Sequence, residues 1–262
     1  MKKYIVVGNP ISHSLSPDLH NHWIKKQNIQ AIYEKKQIYE KDIETLVDDI
    51  KKEKINGINV TIPFKNLFIP YLDELTLEAE KTKSVNTIFL KKNKIVGHNT
   101  DIEGFQKSLK KLNYKVENKK VFILGSGGVV PSIIFALNKM KVSKILLSNR
   151  TQSRAVKFKK LFDNLDVVKW GEIPDFDIII NATSVGLNKN DNLNLNFPTP
   201  PTNKLFYDVI YNPSETNFLR EGKKLGNRIE NGKLMFVYQA SEAFKLWHGI
   251  EPEINREVLE IL

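Results

Sequence analysis

A glycine cluster set between two apolar runs constrains this chain more than any other feature. In VFILGSGGVVPSIIFALNKMKVSKILLSNRTQSR, residues 121–154, a strand-length run from Val121 to Leu124 stops at Gly125-Ser126-Gly127-Gly128. An apolar-periodic helix of about three turns follows, then a second strand from Lys144 to Ser148. The pattern predicts a βαβ unit with glycines at its first turn. Bare backbone N–H groups and a helix N-terminus then form a seat for a pyrophosphate. Gly125 permits the tight turn and Gly127 lets phosphates approach the backbone. The third fingerprint position holds Val130, so helix and strand must pack with a bulkier side chain there.

The end of the second strand bears on which nucleotide is held. NAD-binding units place an Asp or Glu about twenty residues beyond the first glycine, on the ribose hydroxyls. Here the residues are Ser148-Asn149-Arg150-Thr151, with Arg154 shortly after, and no carboxylate. A guanidinium is a planar fork of donors matched to phosphate oxygens. The expectation is NADP, its 2′-phosphate held by Arg150 and Arg154; the plainer alternative is two solvated arginines at a helix start.

Composition narrows the class. Hydrophobic residues make up 41% and charged residues 27%, as in an ordinary soluble protein. There are no cysteines, which excludes disulfides, thiolate metal sites and cysteine nucleophiles. Neither a signal peptide nor an apolar run of membrane-spanning length is visible, so a cytoplasmic enzyme with no membrane partner is expected. The net charge of +10 raises nucleic acid as a partner, but the lysine pairs are scattered along exposed faces, and none is expected. The positive field would aid capture of anionic ligands.

In the N-terminal part, a strand from Tyr4 to Val7 runs into GNPISHSLSP. Ser16-Pro17 reads as an N-cap followed by proline at the first helical position. Ser14 and Ser16 then lie at a helix N-terminus suited to a carboxylate. His13, His20 and His22 lack metal-ligand partners at convincing spacing, so structural roles and no metal are expected. A strand over Ala31 to Gln37 and an amphipathic helix over Lys41 to Lys54 precede INGINVTIPFK. There Asn59, Thr61 and Lys65 stand at the carboxyl end of a strand, where open α/β sheets gather ligands. A helix from Asp73 to Lys83 follows. Then Ser84-Val85-Asn86-Thr87 leads into a hairpin turning at Lys91 to Asn93. Asp101 stands at the mouth of the next helix, and a domain crossing is expected near it.

Beyond the glycine unit the elements alternate: a helix over Gln152 to Asp163, a strand over Asp177 to Asn181, and a loop in which Thr183 and Ser184 could neighbour a nicotinamide. A polar loop from Asn188 to Pro201 offers no chemistry. A strand from Leu205 to Val209, a helix from Ser214 to Lys224 and a strand over Arg228 to Glu230 complete the unit. The chain is helical again from Lys233. Gln239 is a polar residue inside the apolar LMFVYQA, where a buried amide needs partners. A final helix carries Ile254, Val258, Leu259 and Leu262.

Taken together, GNPISHSLSP, NVTIPFK, SVNT, GHNTDIEGF, GSGG, NRT, NATSVGL, YNPSETNFL and NGKLMFVYQASEAFKLWHG resemble the shikimate dehydrogenase family, in family order and over nearly the whole chain. The resemblance implies a two-domain α/β protein. A three-layer α/β substrate domain over residues 1–101 would be completed by 233–262, and a Rossmann NADP-binding domain would span 102–232. The implied reaction is reversible reduction of 3-dehydroshikimate to shikimate by NADPH, on the route to aromatic amino acids. By position, Ser14 and Ser16 match residues that hold the substrate carboxylate, with Tyr211 a further contact at that end. Thr61, Asn86, Asp101 and Gln239 match hydroxyl contacts, with Asn59 nearby. Lys65 matches the acid–base residue, paired with Asp101. Gly125 to Val129 match the phosphate loop, and Asn149, Arg150, Thr151 and Arg154 the adenosine phosphate clamp. Val209 and Gly232 lie at nicotinamide-side positions.

Elementary chemistry agrees. Hydride delivery to a ketone leaves an alkoxide, which an adjacent ammonium stabilises and protonates. Lys65 and Asp101 are treated as a coupled dyad with the microscopic proton carrier left open. Three positions depart from the family pattern: Leu77, where some relatives carry a polar cofactor neighbour; Val130-Pro131 after the glycines; and Ser241, where alanine is frequent. The rival readings are a quinate/shikimate dehydrogenase preferring NAD and a catalytically silent ligand sensor on the same fold. A monomer or homodimer is expected.

Overall fold

A computed structural model describes every residue of the chain except Pro198, which lies in the Asn188 to Pro201 loop and outside the described residues. The chain divides into two compact units, residues 1–104 with 237–262, and residues 105–236.

The first unit is built on a six-stranded mixed sheet. In chain order it comprises β1 (Lys2–Gly8), α1 (Ser16–Lys26), β2 (Ala31–Gln37), α2 (Ile43–Lys51), β3 (Gly57–Val60), β4 (Glu74–Leu75), α3 (Leu77–Thr82), β5 (Thr87–Lys91) and β6 (Lys94–His98), with α4 starting at Asp101. The strand order is β2-β1-β3-β5-β6-β4. β1 pairs parallel with β2 and β3, whereas β5 runs antiparallel to β3 and β6.

Side-chain alternation along β1 creates three layers, because successive residues point to opposite faces. Ile5 and Val7 join Ile58, Val60 and Ile88 beneath Ile43, Leu46, Val47 and Ile50 of α2. Each of those α2 side chains is at most 4% exposed, and burying one contributes roughly 1.5–3 kcal/mol. On the other face, Tyr4 and Tyr33 meet α1 and the returning helix α8 (Lys233–His248). The Tyr4 and Trp247 rings lie 4.9 Å apart, and Trp23 and Phe244 cross edge to face at 5.6 Å. His20 stacks flat on Tyr33 at 4.1 Å; burial pushes it down to about 3, so it sits neutral within the aromatic layer. A last helix, α9 (Arg256–Glu260), is capped by Asn255, whose side chain accepts from the Val258 N–H.

The second unit holds the remainder of α4, which ends at Lys111, then β7 (Lys120–Leu124), α5 (Val130–Lys139), β8 (Lys144–Ser148), α6 (Gln152–Lys159), β9 (Leu165–Val168), β10 (Ile178–Asn181), β11 (Leu205–Asp208), α7 (Asn217–Lys224) and β12 (Arg228–Glu230). Its sheet is parallel throughout in the order β12-β11-β10-β7-β8-β9. Renumbered within the unit, that is the doubly wound dinucleotide-binding order, with its reversal between β7 and β10. Both faces are covered, as parallel sheets require. Phe206 packs against Phe218 of α7, and its neighbour Tyr207 packs against Phe105 of α4.

Several local expectations are corrected. Ser16 is not the N-cap of α1: it is the first helical residue, and the Ser14 hydroxyl accepts from its N–H at 3.3 Å. The segment after Asp73 is not one helix. β4 pairs parallel with β6 first, and Thr76 then caps the short α3 by accepting from the Ala79 N–H. α6 stops at Lys159 rather than Asp163, and β9 adds an edge strand beside β8 that the sequence reading lacks. The hairpin turn has Lys92 and Asn93 at φ 49° and 60°, the backbone of a two-residue type I′ turn.

Candidate active site

Register brings the polar residues of the first unit together. β1 and β3 are parallel, so Gly8 and Val60 reach the same edge of the sheet. β5 is antiparallel to β3 and opens there, with Thr87 opposite Asn59. β6 returns antiparallel, placing His98 opposite Thr87 and hence Asn99, Thr100 and Asp101 at that edge. Residues far apart in sequence thus converge through strand pairing alone.

Lys65 and Asp101 meet there. The Lys65 ammonium donates to Asp101 Oδ2 at 2.5 Å, and the two side chains are 14% and 8% exposed. Buried Phe64 and Phe68 anchor the segment around Lys65, and its carbonyl accepts from the Val85 N–H at 2.8 Å. Asp101 opens α4, where the helix dipole favours its carboxylate; its own N–H donates to Asn99 Oδ1 at 3.2 Å. The second carboxylate oxygen, Oδ1, accepts from Asn86 Nδ2 at 2.9 Å.

The amide orientations are set by unambiguous partners. Asn86 Oδ1 accepts from the Thr100 N–H at 2.8 Å, which leaves its Nδ2 facing Asp101, Thr100 Oγ1 and, at 3.5 Å, Gln239 Oε1 on α8. Asn59 Nδ2 donates to the Asn86 carbonyl at 3.0 Å, which can only accept, so its Oδ1 faces the Tyr33 hydroxyl, which donates to it at 2.7 Å. Burial pushes the Tyr33 phenol well above its ordinary value, outweighing the nearby Ser16 hydroxyl, which acts to lower it. A continuous chain of bonds therefore runs from Tyr33 through Asn59 and Asn86 to Asp101 and Lys65. Thr61 lies at the same edge, its N–H donating to the Val7 carbonyl at 2.9 Å.

The sequence reading did not single out Tyr33, Thr87 or Thr100. The only signal for Tyr33 was an aromatic among charged residues in β2, where it is the one fully buried side chain. Tyr33→Phe keeps the ring stack and leaves Asn59 Oδ1 without its donor. The expected cost is about 1–3 kcal/mol, read as a lower urea midpoint at unchanged m-value; an unchanged midpoint would mean the bond contributes nothing.

Tyr211 is the one expected substrate contact that belongs to the second unit. It stacks on Phe236 with centroids 4.6 Å apart, and burial raises its phenol.

In the second unit the carboxyl ends of the parallel strands share one edge. Gly125 follows β7 with φ +103°, and a Cβ built on it would lie 2.7 Å from the Ala182 carbonyl oxygen, so only glycine suits this turn. Its N–H donates to the Ser148 carbonyl at 2.8 Å. Ser126, Gly127, Gly128 and Val129 then lead into α5. A Cβ on Gly128 would meet nothing within 4 Å, and one on Gly127 only the Ala182 oxygen at 3.6 Å. Free space above bare backbone at a helix start fits a dinucleotide pyrophosphate. After β8, the Asn149 amide donates to the Thr151 carbonyl at 2.9 Å, and Arg150 and Arg154 are exposed. Among the described residues neither guanidinium is tied to a carboxylate. Thr183 follows β10, its hydroxyl donating to Asn181 Oδ1 at 2.7 Å. Val209 follows β11 and Gly232 follows β12, the Gly232 N–H donating to the Ile210 carbonyl at 3.0 Å. Val130 is fully buried, so a valine is accommodated at the third fingerprint position. Leu77 is 59% exposed on α3, and Ser241 is buried. No group of three or more metal-ligating side chains occurs among the described residues, nor a helix long and apolar enough to cross a membrane.

Comparison with known proteins places these two sites in context. Residues 6–88 match the shikimate dehydrogenase substrate binding domain, and residues 106–208 match a family described as shikimate / quinate 5-dehydrogenase. A Pelagibacter ubique protein named shikimate dehydrogenase (NADP(+)) is 56% identical over 261 residues, spanning 100% of this chain and 98% of its own. The crystal structure of shikimate dehydrogenase from Aquifex aeolicus aligns with TM-score 0.89 at 36% identity, over 99% of this chain and 96% of that one. Shikimate 5-dehydrogenase from Thermus thermophilus, solved in complex with NADP(H) and shikimate, aligns with TM-score 0.90 at 29% identity, over 100% and 98%.

Proposed function

The chain belongs to the shikimate dehydrogenase family and interconverts 3-dehydroshikimate and shikimate with NADP(H), and we propose that Lys65 and Asp101 share the proton chemistry of that step. The observation that carries this reading is the 2.5 Å contact between them, held in place by Asn86 on the far carboxylate oxygen. When bound, NADPH supplies the hydride. Lys65 stabilises the negative charge that develops on the substrate oxygen, and the Lys65–Asp101 pair supplies the proton. Asp101 keeps the ammonium aimed, and Asn86 keeps Asp101 aimed.

The remaining assignments follow the same logic. Residues 1–101 with 233–262 form the substrate side and residues 102–232 the cofactor side. Ser14 and Ser16 hold the substrate carboxylate, together with Tyr211. Asn59, Thr61, Asn86 and Gln239 contact its hydroxyls or position the residues that do. Gly125, Ser126, Gly127, Gly128 and Val129 hold the pyrophosphate. Asn149, Arg150, Thr151 and Arg154 hold the 2′-phosphate end. Thr183, Val209 and Gly232 form the nicotinamide side. The enzyme is cytoplasmic and acts as a monomer or homodimer, which sedimentation of the purified protein resolves.

Cofactor choice tests the arginine assignment. A charge-assisted bond is worth about 1.5–3 kcal/mol, so Arg150→Ala with Arg154→Ala should lower kcat/KM for NADP by about a hundredfold or more and leave that for NAD nearly unchanged. An equal fall with both cofactors would mean the arginines do not read the 2′-phosphate. A wild type preferring NAD would favour the quinate/shikimate alternative.

A further inference from the structure

One fully buried carboxylate in the second unit has no part in the proton chemistry above. Asp208, at the end of β11, is 0% exposed and has no cationic partner among the described residues. Its oxygens accept from Asn181 Nδ2 at 3.1 Å each, from the Ile210 N–H at 3.0 Å and from the Thr216 hydroxyl at 2.6 Å. Burial pushes its carboxyl up to about 6. A buried carboxylate is a costly way to hold a sheet together, because well-packed apolar side chains serve as well or better. What it does here that an apolar residue cannot is accept at once from Asn181, which opens the loop after β10, and from Ile210 and Thr216 of the loop after β11.

Those loops are the ones at the carboxyl edge beside the strand-order reversal. Asn181, also 0% exposed, spends its other amide hydrogen on the Val185 carbonyl at 3.0 Å, and its Oδ1 accepts from both the N–H and the hydroxyl of Thr183. The loop after β10 is thereby fixed. The Ile210 and Thr216 bonds fix the loop after β11, which carries Val209 and Tyr211. Thr216 also caps α7 by accepting from the Leu219 N–H. The loop after β12 is secured to the same structure: Asn231 Nδ2 donates to the Ser214 carbonyl at 2.8 Å and the Gly232 N–H to the Ile210 carbonyl. Thr183 and Val209 through Asn181, and Gly232 through Ile210, are therefore each held at one remove by a single carboxylate, and Tyr211 follows Ile210 in the chain.

We infer that Asp208, acting with Asn181 and Thr216, is a positioning residue that sets the wall against which the nicotinamide end of the cofactor lies. This rests on the NADP assignment above. It predicts a separation between the two ends of the cofactor site, because the adenosine phosphate end is built from β8 and the glycine loop, which Asp208 does not touch.

Asp208→Asn keeps the shape but places an NH₂ opposite donors. With shikimate and NADP, kcat should fall by about a hundredfold, the scale of an ångström-level misplacement. Inhibition by adenosine 2′,5′-bisphosphate, which lacks the nicotinamide, should stay within about twofold of wild type. The milder Thr216→Val should show the same split in smaller measure, and Thr216→Ser, which retains the hydroxyl, should restore wild-type kinetics; these two keep the test decisive if Asp208→Asn does not fold. Unchanged kcat in Asp208→Asn or Thr216→Val would overturn the inference. So would parallel loss of kcat and bisphosphate binding, since that would make the carboxylate a support for the whole unit. A wild-type protein inert to shikimate plus NADP would instead remove the cofactor assignment on which the inference stands.

Discussion

Lys65→Ala is expected to lower kcat for shikimate oxidation by about a hundred- to ten-thousandfold, while the dissociation constant for shikimate moves by less than about tenfold. An ammonium beside the reacting oxygen is worth most when charge develops there, so its removal strikes the transition state harder than the ground state. The Lys65 side chain is only 14% exposed and its nitrogen is bound to Asp101, so it is a poor candidate for a freely moving surface lysine. Removal leaves the Asp101 carboxylate without its cation, although Asn86 still donates to Oδ1. Some loss of stability is therefore expected. Lys65→Met, which retains the apolar stem, separates that effect from catalysis and should show the same kcat deficit. Single-turnover rates and calorimetric shikimate titration read the two quantities independently. Matched losses in binding and turnover would make Lys65 a substrate-holding residue.

Gly232→Ala should be the most damaging single methyl addition in the second unit. A Cβ at this position would lie 2.6 Å from the carbonyl carbon of Val209 and closer still to its oxygen. The obstruction is backbone, not the flexible end of a side chain, so the loops after β11 and β12 must separate. That movement strains the Gly232 to Ile210 bond and displaces Val209. Overpacking of this kind costs about 1–3 kcal/mol or more, and misplacement at a reacting centre costs about a hundredfold in rate. The expected result is a lower melting temperature together with a collapse of NADP-dependent turnover. A variant with wild-type kcat would show that the loop after β12 does not contribute to the nicotinamide side.

The glycine unit, the hairpin at Lys91 to Asn93 and the polar residues closing β3 were readable because their signals are local. Periodicity, turn residues and strand-length apolar runs occur within a dozen residues of one another. β9 was not readable. Its four residues mix apolar and charged positions, and only pairing with β8, with Asp166 salt-bridged to Lys144 and Lys159, makes them a strand. The start of α1 was misplaced by one residue, because Ser16-Pro17 reads as a cap and first turn, whereas Leu15 takes the cap position and the Ser14 hydroxyl accepts from the Ser16 N–H.

The candidate site shows the same division. Lys65 and Asp101 could each be noticed as a polar residue at the end of a strand or the start of a helix. That they touch depends on the antiparallel register of β3, β5 and β6, and the sequence supplied the pairing only through family resemblance. Tyr33 and Asp208 carry no local mark. One reads as an aromatic among charged residues, the other as an acid before a turn, and their importance lies in the partners the fold brings to them: Asn59 for Tyr33, and Asn181, Ile210 and Thr216 for Asp208.

A double-mutant cycle on kcat tests the central claim most directly, using Lys65→Ala, Asp101→Asn and the combination. If the two residues work as one unit, each single change removes most of the effect and the double variant is little worse than the worse single, a strongly non-additive outcome. Losses that multiply, so that the double variant falls by the product of the two single effects, would contradict the account and assign Lys65 and Asp101 separate tasks.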